Sequence, residues 1–544
     1  MQNSRIILLN LAIAVASLAL FVPFIGGVHL FDWDEINFAE SAREMILTDD
    51  YLTVRINFLP FWEKPPLFIW FQVLSMKIFG ISEFAARFPN AVCGTVTLMI
   101  LFNIGRKLYD EKFSLLWVIS YACSILPFVY FKSGIIDPWF NLFIFLGIHY
   151  FIRYSRQRSA HCVILSAAFI GLGILTKGPV ALLIFLLTAG VYWMLNRFRS
   201  IIAFRDILLF ALVLVFTGGF WFFLQMANGN FQVIAGFVAY QVRLLQTEDA
   251  GHGGFILYHF VVLLIGVFPA SIPALRGFLS FRDDKPVQRD YHKWMLILFW
   301  IVLILFSIVK TKIVHYSSLC YYPLTFIGAL VIYKYIRKKI VLSGWIVAGV
   351  LLIGFLIATV VVVFPYLGYY KNQIAASSLI ADDFARNIVL ADVHWRGYES
   401  VAGLILVAGL VLFFIFQKRR KPVQAVVSLF SLSGLSALLV LLMYTTGIEQ
   451  YSQGAAIGFF QDVSDKDAYV EILGYKSYAH LFYSQKQIPE NNASFNKDWL
   501  LTGDVDKNVY FSCKITSKDE ILKNYPGLKI LYEKNGYVFL IREK

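Results

Sequence analysis

The sequence predicts a polytopic α-helical membrane protein carrying a small α/β domain at its C-terminal end. Of the 544 residues, 58% are hydrophobic and 15% charged, against roughly 45–50% apolar in soluble chains. The apolar residues gather in runs long enough to cross about 30 Å of hydrocarbon. After residue 446 the runs stop, and apolar and polar residues alternate as in half-buried strands.

The spanning runs fall at 6–27, 84–104, 113–131, 136–152, 160–175, 178–195, 207–226, 255–275, 294–309, 318–333, 340–364, 401–416 and 425–446, about thirteen helices. The first follows Arg5, is longer than a signal-peptide core and lacks an A-x-A site, so it reads as an uncleaved membrane helix. With the N-terminus cytoplasmic, every inside loop is basic, from Arg106, Lys107 and Lys112 in the first to Lys418, Arg419, Arg420 and Lys421 in the last. The outside segments, 28–83, 227–254, 365–400 and the tail, are longer and poorer in cations. The tail, 447–544, shows strand patterns at Tyr469–Tyr475, Val509–Ile515, Leu528–Glu533 and Tyr537–Ile541, with a hairpin turn at Asn535-Gly536. The organisation is thus a membrane domain, 1–446, whose first outside loop, 28–83, lies on the membrane surface, and an external α/β domain, 447–544.

Topology accounts for the formal charge of +13, so no nucleic-acid partner is expected. Cys93, Cys123, Cys162, Cys320 and Cys513 lie far apart with no C-x-x-C pair, so neither a metal cluster nor a disulfide framework is read. No G-x-x-x-x-G-K-[ST] loop is present, which disfavours an ATP-driven transporter and a nucleotide cofactor.

Chemistry concentrates in the first outside loop. Phe31-Asp32-Trp33-Asp34-Glu35 opens a helix in which Asp32 reads as N-cap and Glu35 as its capping-box partner. Asp34 is left over, either an ordinary acidic first-turn residue or a catalytic carboxylate. Phe61-Trp62-Glu63-Lys64-Pro65-Pro66 follows, a surface ion pair or a second part of a site. Asp137 begins the fourth apolar run with Pro138 behind it, as an N-cap would. Lys177 sits in a very short outside turn, against the charge bias. The turn Lys310-Thr311-Lys312-Ile313-Val314-His315-Tyr316 reads as interface anchoring or as a phosphate contact.

Together, Asp34-Glu35-x-x-x-Ala39-Glu40-x-x-Arg43-Glu44-Met45, Glu63-Lys64-Pro65, Arg87-Phe88, Ile136-Asp137-Pro138, Thr176-Lys177-Gly178-Pro179 and His252 resemble the polyprenyl-phosphate-sugar glycosyltransferases of the GT-C superfamily. Within it they are most similar to the bacterial branch of lipid A aminoarabinose transferases and protein mannosyltransferase relatives. The resemblance implies a donor of polyprenyl-phosphate sugar, an acceptor that is lipid A, another glycan or a protein, and an inner-membrane enzyme with its site and tail in the periplasm. It implies Asp34 as general base and Asp137 as the second carboxylate. Lys64 and Lys177 match its lipid-phosphate contacts, and Glu63 with His252 its pair for one divalent ion. By position alone, Lys312 and Tyr316 are further candidate contacts for the donor phosphate, as is Arg243, which otherwise lies on an interfacial helix. Where the branch often carries an arginine three residues after the aspartate, this chain has Asn37, which leaves the donor sugar open. An O-antigen ligase or polymerase would lean on Arg and His in late loops, and a flippase on charged or broken helices in matched halves.

Overall fold

The structure, a computed structural model, describes residues 2–199, 201–246, 254–279, 281, 283–378 and 380–544. Each of the thirteen apolar runs coincides with a helical segment. Among the described residues nine helices are long and apolar enough to cross a membrane, or ten if the pair Tyr258–Gly266 and Ser271–Gly277 counts as one span. The remaining segments fall short for local reasons. The run at 113–131 breaks into Glu111–Ala122 and Ile125–Tyr130, with Pro127 in its second piece. Val180–Leu195 is 16 residues long, and Asp137–Gln157 carries Asn141, His149 and Arg153 along its length. The 255–275 run is not straight: its two helices bend by 111° around Pro269, which cannot donate the backbone hydrogen bond a continuous helix needs.

Between the first two spans lie a surface helix, Asp34–Thr48, a two-residue hairpin at 55–60 and the apolar helix Leu67–Phe79. The surface helix does not start as the sequence suggests. Its N-cap is Trp33, with no side-chain cap. The Asp32 carboxylate accepts from the Tyr478 amide in the tail, and Glu35 pairs with Arg87. The reason is tertiary: the helix N-terminus meets the tail and the second span, whose donors take both carboxylates.

The tail forms a four-stranded sheet in the order 468–473, 508–514, 537–542, 529–534; the first pair is parallel and the others antiparallel. Asn535 and Gly536 both have positive φ, 50° and 81°, the conformation a tight two-residue hairpin turn requires. Side chains alternate between faces. Val509, Phe511, Val538 and Leu540 pack on Leu500 and Ile521, while Ile472 and Phe539 join Phe459, Phe38 and Met45 of the surface helix in one core. The last spanning helix runs on past 446 to Ser452, where Glu449 pairs with His29. That contact with Glu449 raises the His29 imidazole above its ordinary value, against the opposing effect of burial.

Candidate active site

The site is built on a buried fork. Arg87 donates to both oxygens of Glu35, at 3.0 and 2.7 Å, and its remaining N–H groups reach the carbonyls of Ile25, Val28 and His29. Glu35 also accepts from the amides of Phe31 and Gly134. Burial alone would push the Glu35 carboxyl up, but the Arg87 charge and hydrogen bonds outweigh it and hold it below the ordinary value. One ion pair therefore ties the first outside loop, the second span and the turn before Asp137. Farther along the surface helix, Arg43 forks onto Glu40 and donates to the Lys486 carbonyl in the tail. Most of the acidic motif is thus scaffold, its side chains turned into the protein by the helical period.

Asp34 is the exception, with 36% of its side chain exposed, and it meets His315 from a distant part of the chain. His315 Nε2 lies 3.3 Å from Asp34 Oδ2 and 3.9 Å from Asp137 Oδ2. Asp137, only 3% exposed, receives Lys177 Nζ at 2.6 Å. The expected capping role of Asp137 is not seen: the N-cap of that helix is Ile136, without a side-chain bond, and the carboxylate turns to the lysine instead. His315 sits on the seven-residue 3-10 helix Val314–Cys320. Asn141 donates to Ser318 Oγ at 2.7 Å, and Ser318 in turn to the His315 carbonyl at 2.5 Å. Ser317 Oγ lies 3.1 Å from His259 Nδ1. The segment that carries His315 is thereby held from two neighbouring helices.

Cations line one side. Lys64 feels the charges of Glu63, Lys177, Asp34 and Asp137, and burial pushes its ammonium below the ordinary value against the pull of Glu63. Its Nζ lies 5.6 Å from the Tyr240 ring, whose centre is 5.0 Å from the Arg243 guanidinium. Tyr316 covers Lys177 at 5.2 Å. These are cation–π distances, and they hold the cations in place. The amphipathic helix Phe231–Gln246 brings Tyr240 and Arg243 in by close approach: a Cβ on Gly236 would fall 2.8 Å from Trp62, and one on Gly178, whose φ is +95°, 3.2 Å from Phe237.

The structure thus gathers Asp34, Asp137, Lys64, Lys177 and Tyr316 of the expected residues, with Arg243 joined through Tyr240. It does not bring Lys312 in the same way. That ammonium donates to the carbonyls of Phe306, Ser307 and Val309, closing the C-terminal end of helix Pro286–Ile308, because the unpaired carbonyls there attract a cation. His315 and Tyr240 are the residues that sequence reasoning left without a role. Only the outer-face location of His315 pointed toward it. Glu63 lies beside Lys64, His252 falls outside the described residues, and among those described no three His, Cys, Asp or Glu side chains gather as a metal ion would need.

Residues 63–221 match the family model for dolichyl-phosphate-mannose-protein mannosyltransferases. A protein of Aquifex aeolicus is 28% identical over 395 residues, 71% of this chain and 85% of its own length. An undecaprenyl phosphate-alpha-4-amino-4-deoxy-L-arabinose arabinosyl transferase of Pectobacterium carotovorum is 25% identical over 341 residues, 60% of each chain. The crystal structure of ArnT from Cupriavidus metallidurans bound to undecaprenyl phosphate superposes with a TM-score of 0.74 over 98% of both chains at 17% identity. The chain therefore has the fold of that ArnT structure, a multi-pass helical membrane architecture with a small C-terminal sheet. By sequence its likeness runs to the aminoarabinose transferases and to the mannosyltransferase family model.

Proposed function

We propose that the chain is a glycosyltransferase that moves a sugar from polyprenyl phosphate to an envelope acceptor, with lipid A the acceptor that the similarity favours. One observation carries the reading: an accessible carboxylate, Asp34, faces a buried acid, Asp137, across His315, with Lys177 paired to that acid and the charge of Lys64 acting on the same groups. Asp34 takes the proton of the acceptor hydroxyl. The freed oxygen attacks the anomeric carbon from the face opposite the phosphate, so the reaction inverts that centre. The carbon–oxygen bond to phosphate breaks and its electron pair leaves with the polyprenyl phosphate. Lys64 and Lys177 meet the charge that develops there, Lys being suited to a phosphate as a compact charge. Asp137 orients Lys177 and His315. Arg243 extends the cationic side of the cleft. Glu63 and His252 would hold a divalent ion, which would add positive charge beside the departing phosphate.

The basic loops lie at the helix ends opposite this cleft, which supports a cytoplasmic N-terminus with the site and the 447–544 domain in the periplasm. The test is reconstitution in vesicles with undecaprenyl-phosphate sugars and lipid A, comparing wild type with Asp34→Asn. Transfer by the wild type and its loss in the variant are expected. Movement of the intact donor lipid across the bilayer with no product would overturn the reading.

A further inference from the structure

At the helix ends opposite the Asp34 cleft, a cavity of about 840 Å³ opens between the helices Tyr321–Ile336, Gly344–Leu367, Val401–Lys418 and Pro422–Ser452. Its walls are the aliphatic side chains between 340 and 351 together with Phe414, and Tyr335 bonded to Gln417 forms one side. Among the described residues its charged lining consists of Lys338, Lys418 and Arg420, with no carboxylate. The three side chains are exposed, and among the described residues none makes an ion pair. Lys418 Nζ rests 5.5 Å from the Phe414 ring. Ser343 Oγ, next to the cavity at the start of helix Gly344–Leu367, is buried with no hydrogen-bond partner. Interfacial snorkelling explains cations at a helix end, but not three of them around an apolar cavity from which acids are missing. The neighbouring basic end differs, since Arg156 there is paired with Asp290.

We propose that this cavity is a binding site for one anionic glycerophospholipid of the cytoplasmic leaflet. Its phosphate headgroup lies among Lys338, Lys418 and Arg420, and an acyl chain lies along the aliphatic wall. Charge complementarity selects the occupant, because a zwitterionic lipid brings a cation to a site that already has three. The inference rests on the membrane-spanning fold and not on sugar transfer.

Delipidated full-length protein in micelles is titrated separately with dioleoyl phosphatidylglycerol, dioleoyl phosphatidylcholine and undecaprenyl phosphate, and bound lipids are counted by native mass spectrometry. We expect one tight phosphatidylglycerol with a preference of roughly tenfold. The Lys338→Gln/Lys418→Gln/Arg420→Gln variant loses that preference, whereas Arg199→Gln/Arg205→Gln, on another basic loop, keeps it. Ala348→Phe, which fills the cavity and leaves every cation in place, also loses the bound lipid. Equal binding of the two lipids, an unchanged preference in the triple variant, or tighter binding of undecaprenyl phosphate at these residues would overturn the proposal. No sugar donor is present, so a failed transferase reading leaves this outcome readable.

Discussion

His315 Nε2 stands 3.3 Å from Asp34 Oδ2, joining a residue of the 28–83 loop to one about 280 positions along the chain. In the proposed reaction a histidine so placed steadies the carboxylate that takes the proton, and accepts or donates according to its own protonation. Replacing it with glutamine keeps a polar group of similar reach but removes the titratable ring. His315→Gln is expected to lower kcat for sugar transfer by about 100-fold while leaving KM within a few-fold, measured with the reconstituted enzyme. Unchanged kcat would remove His315 from the reaction.

The Lys177–Asp137 pair makes a different prediction, because its acid is almost fully buried. Removing the lysine strands a carboxylate, at a cost of about 3 kcal/mol. Lys177→Met should therefore lower the thermal midpoint in detergent, and adding Asp137→Asn should restore much of it. Activity should not return in the double variant, since the cation proposed to face the donor phosphate is gone. Thermal recovery accompanied by recovered transfer would show that the pair is structural only.

The Glu35–Arg87 fork holds the first loop against the second span. Arg87→Met leaves Glu35 buried without its partner, and about 3–5 kcal/mol of destabilisation is expected. Limited proteolysis should then cut the 22–33 connection faster than in the wild type, because three of its carbonyls lose the Arg87 donors. Equal cleavage rates would contradict this account of the fork.

Glu44 gives a pH dependence with a definite sign. Burial, then the charge of Glu40, pushes its carboxyl up to about 8 from an ordinary 4.5. The folded protein therefore keeps a proton that the unfolded chain has released between these values. Stability is full below pH 4.5 and falls as pH rises toward 8. Glu44→Gln retains an oxygen to accept from the Phe58 amide and should flatten the loss. A thermal midpoint that falls equally steeply between pH 5 and 8.5 in both proteins would assign the proton elsewhere.

What the sequence determined by itself is whatever depends on short spacings and composition. Helical segments at all thirteen apolar runs, the basic loops at one set of helix ends and the Asn535-Gly536 hairpin follow from hydropathy, charge and φ preference, which act over a few residues. Asp34, Asp137, Lys64 and Lys177 were legible because their spacing resembles a known family. The tertiary structure alone decided which members of the acidic motif face the cleft and which are scaffold, for Glu35 was claimed by Arg87 and Asp32 by the tail rather than by their own helix. It also brought His315 between two carboxylates and turned Lys312 onto a helix end. Those outcomes depend on which donors lie across the packed helices, and local spacing carries no information about partners so remote along the chain.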